Sequence, residues 1–96
     1  PGRWRRRADV AEQRLSVALI TAQSIVYEGE ADMVVAPAWD GELGILRGHA
    51  PMMALLGEGE MRITRDGAER RFLVAGGFLQ VSDDVVSVLS ERAEAL

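Results

Sequence analysis

The chain has 96 residues and a mass of 10.5 kDa, with 48% apolar residues, 27% charged residues and a formal net charge of −4. This size and composition predict a single folded domain with one aliphatic core. The absence of cysteine excludes a disulfide scaffold, a thiolate metal site and a cysteine nucleophile. All eleven basic residues are arginine, which also excludes a P-loop lysine and a Schiff-base lysine.

The basic charge is concentrated at the amino-terminal end. Five of the eleven arginines lie within residues 1–14, whereas the rest of the chain carries six arginines against thirteen acidic residues. Such an acidic body repels phosphate backbones, so we expect no nucleic-acid partner for it. We interpret residues 1–14 as a basic leader, disordered or an added extension. We also expect no membrane span, because the longest apolar run, residues 51–56, is far too short to cross a bilayer.

From Leu15 onward, short runs of alternating apolar and polar residues are separated by turn-forming residues. This pattern is typical of an all-β sandwich or barrel, which we place at residues 15–90. We predict strands over residues 15–20, 25–28, 32–36, 42–46, 59–65, 70–75, 78–81 and 85–90, and we expect Phe78 and Val88 in the core. Residues 91–96 have helix-forming composition but are too few for a stable helix, so we expect a short helical stub or tail there.

The Asp66-Gly67 pair is a hairpin signal. A two-residue turn at this point would place Ile63 opposite Arg70 and would bring two arginines together on the neighbouring positions. A four-residue loop over residues 66–69 instead pairs Ile63 with Phe72 and keeps the apolar side chains on one face. We therefore predict the longer loop.

Groups that carry chemistry are few. His49 is the only histidine, with Asp40 and Glu42 within ten residues of it. One histidine and two carboxylates fall short of the three or four ligands of a typical metal centre, and they include no nucleophile. The glycine pairs lie between predicted strands and lack the spacing of a phosphate loop. We therefore expect no catalytic, cofactor-binding or metal-binding residues. We interpret residues 39–42 as a surface turn and His49 as hydrogen-bonded locally.

Residues 51–56 form a continuous apolar run, PMMALL. Such a run is buried on both sides, or one of its faces meets a partner. Core burial is the more common outcome in general, but a small sandwich has difficulty hiding six consecutive apolar residues. Both interpretations stay open at this point.

Three blocks of the sequence, taken in order, resemble the ε subunit of F-type ATP synthases. They are SIVYEGEADMVVAP at residues 24–37, GELGILRGHAP at residues 41–51 and GGFLQV at residues 76–81. The resemblance covers Leu15 to about Leu96 and implies a flattened β-sandwich of about ten strands. It also implies a non-catalytic rotor subunit of the central stalk that binds the γ subunit and the c-ring. In a proton-translocating complex at the cytoplasmic face of the bacterial inner membrane, this subunit would help couple rotation to ATP synthesis.

Carried over position by position, the resemblance implies a partner interface. The turn at residues 40–42 matches the family's loop that faces the c-ring. Residues 49 and 51–54 match the region near the γ and c-ring contacts. The interface residues implied in this way are Trp39, Asp40, Gly41, Glu42, His49, Pro51, Met52 and Met53. The chain departs from the family's pattern in two places: Ala38-Trp39 replaces the more usual small, glycine-led turn, and Arg47 stands where proline is usual. We therefore expect the local contact to differ.

The family commonly adds a two-helix regulatory hairpin where this chain stops. A naturally short ε subunit and a shortened piece of a longer one are both compatible with the sequence. The alternative function is an isolated ligand-binding or partner-binding β-sandwich adaptor whose arginine-rich arm contacts anionic surfaces.

Overall fold

The computed structural model describes residues 14–96. Within that range the chain forms eight strands and no helix: β1 (Leu15–Ile20), β2 (Ile25–Ala31), β3 (Met33–Ala38), β4 (Gly41–Leu46), β5 (Met52–Leu55), β6 (Glu58–Arg65), β7 (Ala68–Ser82) and β8 (Val85–Ala95). The predicted all-β class is confirmed, with eight strands instead of about ten. The predictions for residues 1–13 lie outside the described residues.

The strands form one hydrogen-bonded sheet in the order β2-β1-β8-β7-β6-β3-β4, with β5 added beside β7. Neighbouring strands are antiparallel except β1 and β8, which are parallel. The long strand β7 belongs to two parts of the sheet, since its first half pairs with β6 and its second half pairs with β5. Residues 85–89 of β8 have two neighbours, since they pair with β1 on one side and with β7 on the other.

Strand β7 changes partner at Gly76-Gly77. Both glycines have positive φ, 73° and 106° respectively. A Cβ atom at Gly77 would lie 1.9 Å from the carbonyl oxygen of Leu89, so only glycine fits there. The buried side chains of β7 change from even to odd positions across this pair: Phe72 and Val74 before it, Leu79 and Val81 after it. The glycine pair, which we predicted to separate two strands, is therefore a change of face within one strand.

One cluster of buried apolar side chains forms the core, and every strand except β5 contributes to it. These residues come from the alternation of apolar and polar side chains along the strands, which turns an apolar face inward. The largest fully buried side chains are Phe72, Leu15, Leu19, Ile45, Met61, Ile63, Leu79, Val34, Val74, Val81, Val86 and Val88. The prediction that Val88 is a core residue is confirmed. Tyr27 packs edge-on against Phe72, with ring centroids 5.8 Å apart.

The β6–β7 hairpin corrects the predicted register. The turn is the two-residue Asp66-Gly67, with φ of 52° and 79°, as in a type I′ turn. Ile63 consequently lies opposite Arg70, the pairing that we had rejected. It is tolerated because the Arg70 guanidinium lies 5.6 Å from the ring centroid of Tyr27 and 5.4 Å from that of Phe72. A cation over two aromatic faces is stabilised at this edge of the core.

The same register places Arg62 opposite Arg71. Carboxylates separate the two positive charges, because Glu60 lies 3.9 Å from Arg62 and 3.3 Å from Arg71. Glu42 and Glu69 add contacts to Arg62 at 3.3 Å and 3.8 Å. The sequence argument considered the facing pair alone, whereas the carboxylates on neighbouring positions remove the repulsion.

The end of the chain corrects a second prediction. Residues 91–95 continue β8 and do not form a helical stub. They pair with β7 as far as Phe72 and Ala95, and Ala93 packs against the core. The backbone N–H of Leu96 donates to the carbonyl oxygen of Arg71 at 2.9 Å. An available strand partner outweighs the helix propensity of so short a segment.

Candidate partner interface

The β3–β4 hairpin turn carries four of the predicted interface residues. Trp39 and Asp40 form the turn, and Gly41 begins β4 with a φ of 138°, a conformation that glycine adopts readily. The backbone N–H of Trp39 donates to the carbonyl oxygen of Leu55 at 3.0 Å, which ties the turn to β5. The Trp39 side chain is 71% exposed, so a large amphipathic ring stands at the tip of the hairpin.

Glu42 follows the turn and lies opposite Pro37. Its carboxylate contacts the Arg62 guanidinium at 3.3 Å. An exposed ion pair of this kind stabilises the fold little and exchanges readily for another cation or donor. Together with the exposed Asp40, Glu42 gives this end of the molecule an acidic, hydrogen-bond-accepting edge.

The turn and β5 enclose a groove of about 580 Å³. The turn side contributes carboxylates and the β5 side contributes apolar side chains. The groove brings together six of the eight predicted interface residues: Trp39, Asp40, Gly41, Glu42, Met52 and Met53. His49 and Pro51 do not line it.

His49 and Pro51 lie in the loop of residues 47–51, which connects β4 to β5 and which we call the His49 loop. The backbone N–H of His49 donates to the carbonyl oxygen of Leu46 at 3.1 Å, and ring atom Nδ1 donates to that of Ala50 at 2.8 Å. The expected local hydrogen bonding is therefore present. Among residues 14–96, no group of three or more potential metal ligands is found.

An apolar row crosses five neighbouring strands and is exposed except at the half-buried Ile20. Sequence reasoning missed it. Leu55 lies opposite Phe78, Phe78 opposite Leu89, Leu89 beside Ile20, and Ile20 opposite Ile25. Leu55 is 62% exposed and Ile25 is 58% exposed. Met53, on the same face of β5 and 66% exposed, adds to the row. We call this surface the apolar face: Ile20, Ile25, Met53, Leu55, Phe78 and Leu89.

Phe78 corrects a further prediction, because it lies on the apolar face and not in the core. The change of face at Gly76-Gly77 turns Leu79 and Val81 inward and leaves Phe78 37% exposed. The structure also answers the question left open for the apolar run at 51–56. Half-buried and exposed positions alternate along β5, and Leu56 after it is buried, so the run is partly core and partly surface. The signal available in the sequence was that apolar residues occur at consecutive positions, and therefore on both faces of the strand.

Arg14 joins three segments of the fold. Its guanidinium contacts Asp66 in the β6–β7 turn at 2.5 Å and Asp32, between β2 and β3, at 3.4 Å. The hydrogen bond and the charge of Arg14 hold the pKa of Asp66 below its ordinary value. The Asp66 carboxylate likewise raises the pKa of Arg14. Arg14, which we had assigned to the basic leader, therefore contacts the folded domain.

The fold and surface define the class of protein, a small all-β domain with a mixed groove and an exposed apolar face. The part of the chain that the structure describes has no helix able to cross a membrane. Residues 14–96 match the family described as ATP synthase, Delta/Epsilon chain, beta-sandwich domain. The chain belongs to this family, so the resemblance found in the three sequence blocks and the predicted β-sandwich are both confirmed.

Two bacterial relatives illustrate the similarity. The chain is 43% identical over 76 residues to the ATP synthase epsilon chain of Chromohalobacter salexigens, covering 78% of this chain and 54% of that one. It is 48% identical over 81 residues to the ATP synthase epsilon chain of Acidithiobacillus ferridurans, covering 83% of this chain and 57% of that one. The chain thus spans little more than half the length of these relatives.

Two cryo-EM structures share the fold. One is the Euglena gracilis mitochondrial ATP synthase, OSCP/F1/c-ring in rotational state 1, with a TM-score of 0.81 at 21% identity over 86% of this chain and 54% of that chain. The other is the Tetrahymena thermophila mitochondrial ATP synthase, central stalk/c-ring, with a TM-score of 0.70 at 20% identity over 85% of this chain and 66% of that chain.

Proposed function

We propose that this domain is a non-catalytic part of the central-stalk rotor of an F-type ATP synthase. In this role it binds the γ subunit and the c-ring and helps couple ion-driven rotation to ATP synthesis. Family membership and the epsilon chains among its relatives support the proposal. Because those relatives are bacterial, we place the complex at the cytoplasmic face of the bacterial inner membrane.

The observation that carries the proposal is the apolar face. Large apolar side chains from five adjacent strands form a continuous row, exposed except at the half-buried Ile20. A contiguous apolar patch on a small domain marks an interaction site, because burying it against a partner removes it from water. A flat row of this kind suits the apolar side of a partner helix, and we assign it to the γ subunit.

The groove and its acidic edge are assigned to the c-ring. Asp40 and Glu42 offer carboxylates to donors on polar loops, and Trp39 offers a ring that fits between an apolar and a polar environment. Because the carboxylates are exposed, each contributes modestly. We therefore expect Glu42→Ala to weaken c-ring association by only a few-fold.

The test uses ATP synthase from the same organism after removal of its own ε chain. The full 96-residue chain is added back, and its affinity for the depleted complex is measured. We compare Leu89→Gln, on the apolar face and outside the groove, with Leu73→Gln, a leucine of nearly equal exposure in the part of β7 that pairs with β6. We expect Leu89→Gln to weaken binding about tenfold, as for a buried interface residue, and Leu73→Gln to bind like the parent.

Failure of the parent chain to bind the depleted complex would contradict the proposed function. Equal affinities of the parent and the two variants would contradict the assignment of the apolar face. If the parent instead bound anionic vesicles in a salt-sensitive way, the alternative adaptor function would be favoured.

A further inference from the structure

The His49 loop is held to the rest of the domain by one charged side chain. The backbone N–H of Gly48 donates to Oδ1 of Asp84 at 2.7 Å, across 36 positions of sequence. Asp84 lies in the β7–β8 turn, and its carbonyl oxygen also accepts the backbone N–H of Ser16 at 2.8 Å. Among the described residues, the other hydrogen bonds of the His49 loop stay within residues 46–50.

Asp84 lies in the tight turn between β7 and β8. Ser82 and Val85 pair directly, so Asp83 and Asp84 form a two-residue turn with φ of 51° and 62°. Glycine, asparagine and aspartate are the usual residues in such a turn. The turn places the carboxylate of Asp84 within hydrogen-bond distance of the backbone N–H of Gly48.

The hydrogen bond is well placed to fix the loop. An ionised acceptor forms a shorter and stronger bond to a backbone N–H than a neutral one does. Gly48 itself has a φ of 85°, so the loop turns sharply at the bonded residue. Held there, the loop sets the position of His49 and the start of β5, whose Met53 lies both in the groove and on the apolar face.

We propose that Asp84 is a positioning residue, whose carboxylate fixes the His49 loop and thereby prepares the domain for binding its central-stalk partner. The inference deepens the proposed function and rests on it for the identity of that partner. Asp84 acts through Gly48 and does not itself touch the partner. A loop fixed before binding loses less conformational freedom on association, so affinity increases.

The test compares Asp84→Gly, which removes the carboxylate and suits the turn, with Asp84→Asn, which keeps an acceptor oxygen and tolerates the same φ. Asp83→Gly is the matched control, because Asp83 has a similar φ and makes no side-chain hydrogen bond within residues 14–96. The first readout is hydrogen exchange and the ¹⁵N–¹H chemical shift of the Gly48 amide. We expect exchange at Gly48 to increase about tenfold in Asp84→Gly, to increase less in Asp84→Asn, whose acceptor is neutral, and to change little in Asp83→Gly.

The second readout is affinity for the ε-depleted complex. We expect a several-fold loss of affinity for Asp84→Gly, a smaller loss for Asp84→Asn and no loss for Asp83→Gly. The inference would be overturned if hydrogen exchange at Gly48 were unchanged in Asp84→Gly. It would also be overturned if that exchange increased while the affinity stayed the same. An equal loss with Asp83→Gly would also overturn it, since a general effect of the turn would then be responsible. If the parent does not bind, the proposed function fails, and Gly48 exchange alone decides whether Asp84 positions the loop.

Discussion

The two phenylalanines of this chain have different environments although both follow apolar patterns in the sequence. Phe72 is fully buried and packs against Tyr27, whereas Phe78 lies on the apolar face. The pattern around each residue predicts a strand, but it does not show which side of the strand is inside. That choice depends on Gly76-Gly77, where positive φ changes the face of β7.

Replacing each phenylalanine by alanine separates the two environments. We expect Phe72→Ala to lower the free energy of unfolding by about 3–5 kcal/mol, because it leaves a cavity in the core. We expect Phe78→Ala to lower it by about 1–2 kcal/mol, because part of the ring already contacts water. Urea unfolding of the two variants and the parent measures both values. Equal losses would contradict the exposed placement of Phe78.

The Arg14–Asp66 pair gives a pH-dependent prediction. The pKa of Asp66 in the folded state is lowered from 3.8, first by the hydrogen bond from Arg14 and then by its charge. A lowered folded-state pKa means that the pair stabilises the fold above pH about 4 and that this stabilisation is lost as the pH falls through the folded-state pKa. Asp66→Asn keeps a residue that tolerates the turn and removes the charge.

We therefore expect Asp66→Asn to unfold more easily than the parent at pH 7 and the difference to shrink below pH 4. Thermal unfolding at a series of pH values measures it. Asp83→Asn is the control, since Asp83 has a similar φ and forms no ion pair among the described residues. A difference between Asp66→Asn and the parent that stayed constant down to pH 2 would contradict the role of the charge.

At the scale of elements, turns and alternation predicted most strand positions, and long-range pairing decided the rest. The predicted strand at residues 15–20 is the observed β1, and the predicted strand at 59–65 differs from β6 by one residue. Strand β5 was missed because its apolar residues do not alternate with polar ones. Strand β7 was divided in two because local rules treat a glycine pair as a break.

Gly67, in the β6–β7 turn, and Gly77, within β7, test the element geometry. A Cβ atom at Gly77 would clash with the backbone of Leu89, whereas at Gly67 nothing lies within 4 Å. Both have positive φ. We expect Gly67→Ala to destabilise the domain by about 1–2 kcal/mol through conformation alone. Gly77→Ala should destabilise it clearly more, because β7 and β8 must also separate. Equal unfolding midpoints for the two variants would contradict the change of face within β7.

At the scale of the whole molecule, the candidate interface could be predicted only in part. The resemblance supplied Trp39 to Glu42 together with Met52 and Met53, which the structure brings together in one groove. The apolar face could not be derived from the sequence, because it depends on which strands become neighbours. Ile20 meets Leu89 only through the parallel pairing of β1 and β8, whose residues are far apart in sequence.

The assignment of the apolar face to the γ subunit is the central claim. The chain has no cysteine, so single cysteines carrying a photoactivatable cross-linker can be introduced at chosen positions. Leu89→Cys places one on the apolar face, and Leu73→Cys places one at a leucine of nearly equal exposure, 42% against 44%, outside it.

The most direct measurement is photo-cross-linking of these two variants after each is bound to the ε-depleted ATP synthase, with the joined subunit identified by mass. We predict that Leu89→Cys forms an adduct with the γ subunit and that Leu73→Cys does not. Adducts with γ in equal yield from both positions, or from Leu73→Cys alone, would contradict the account.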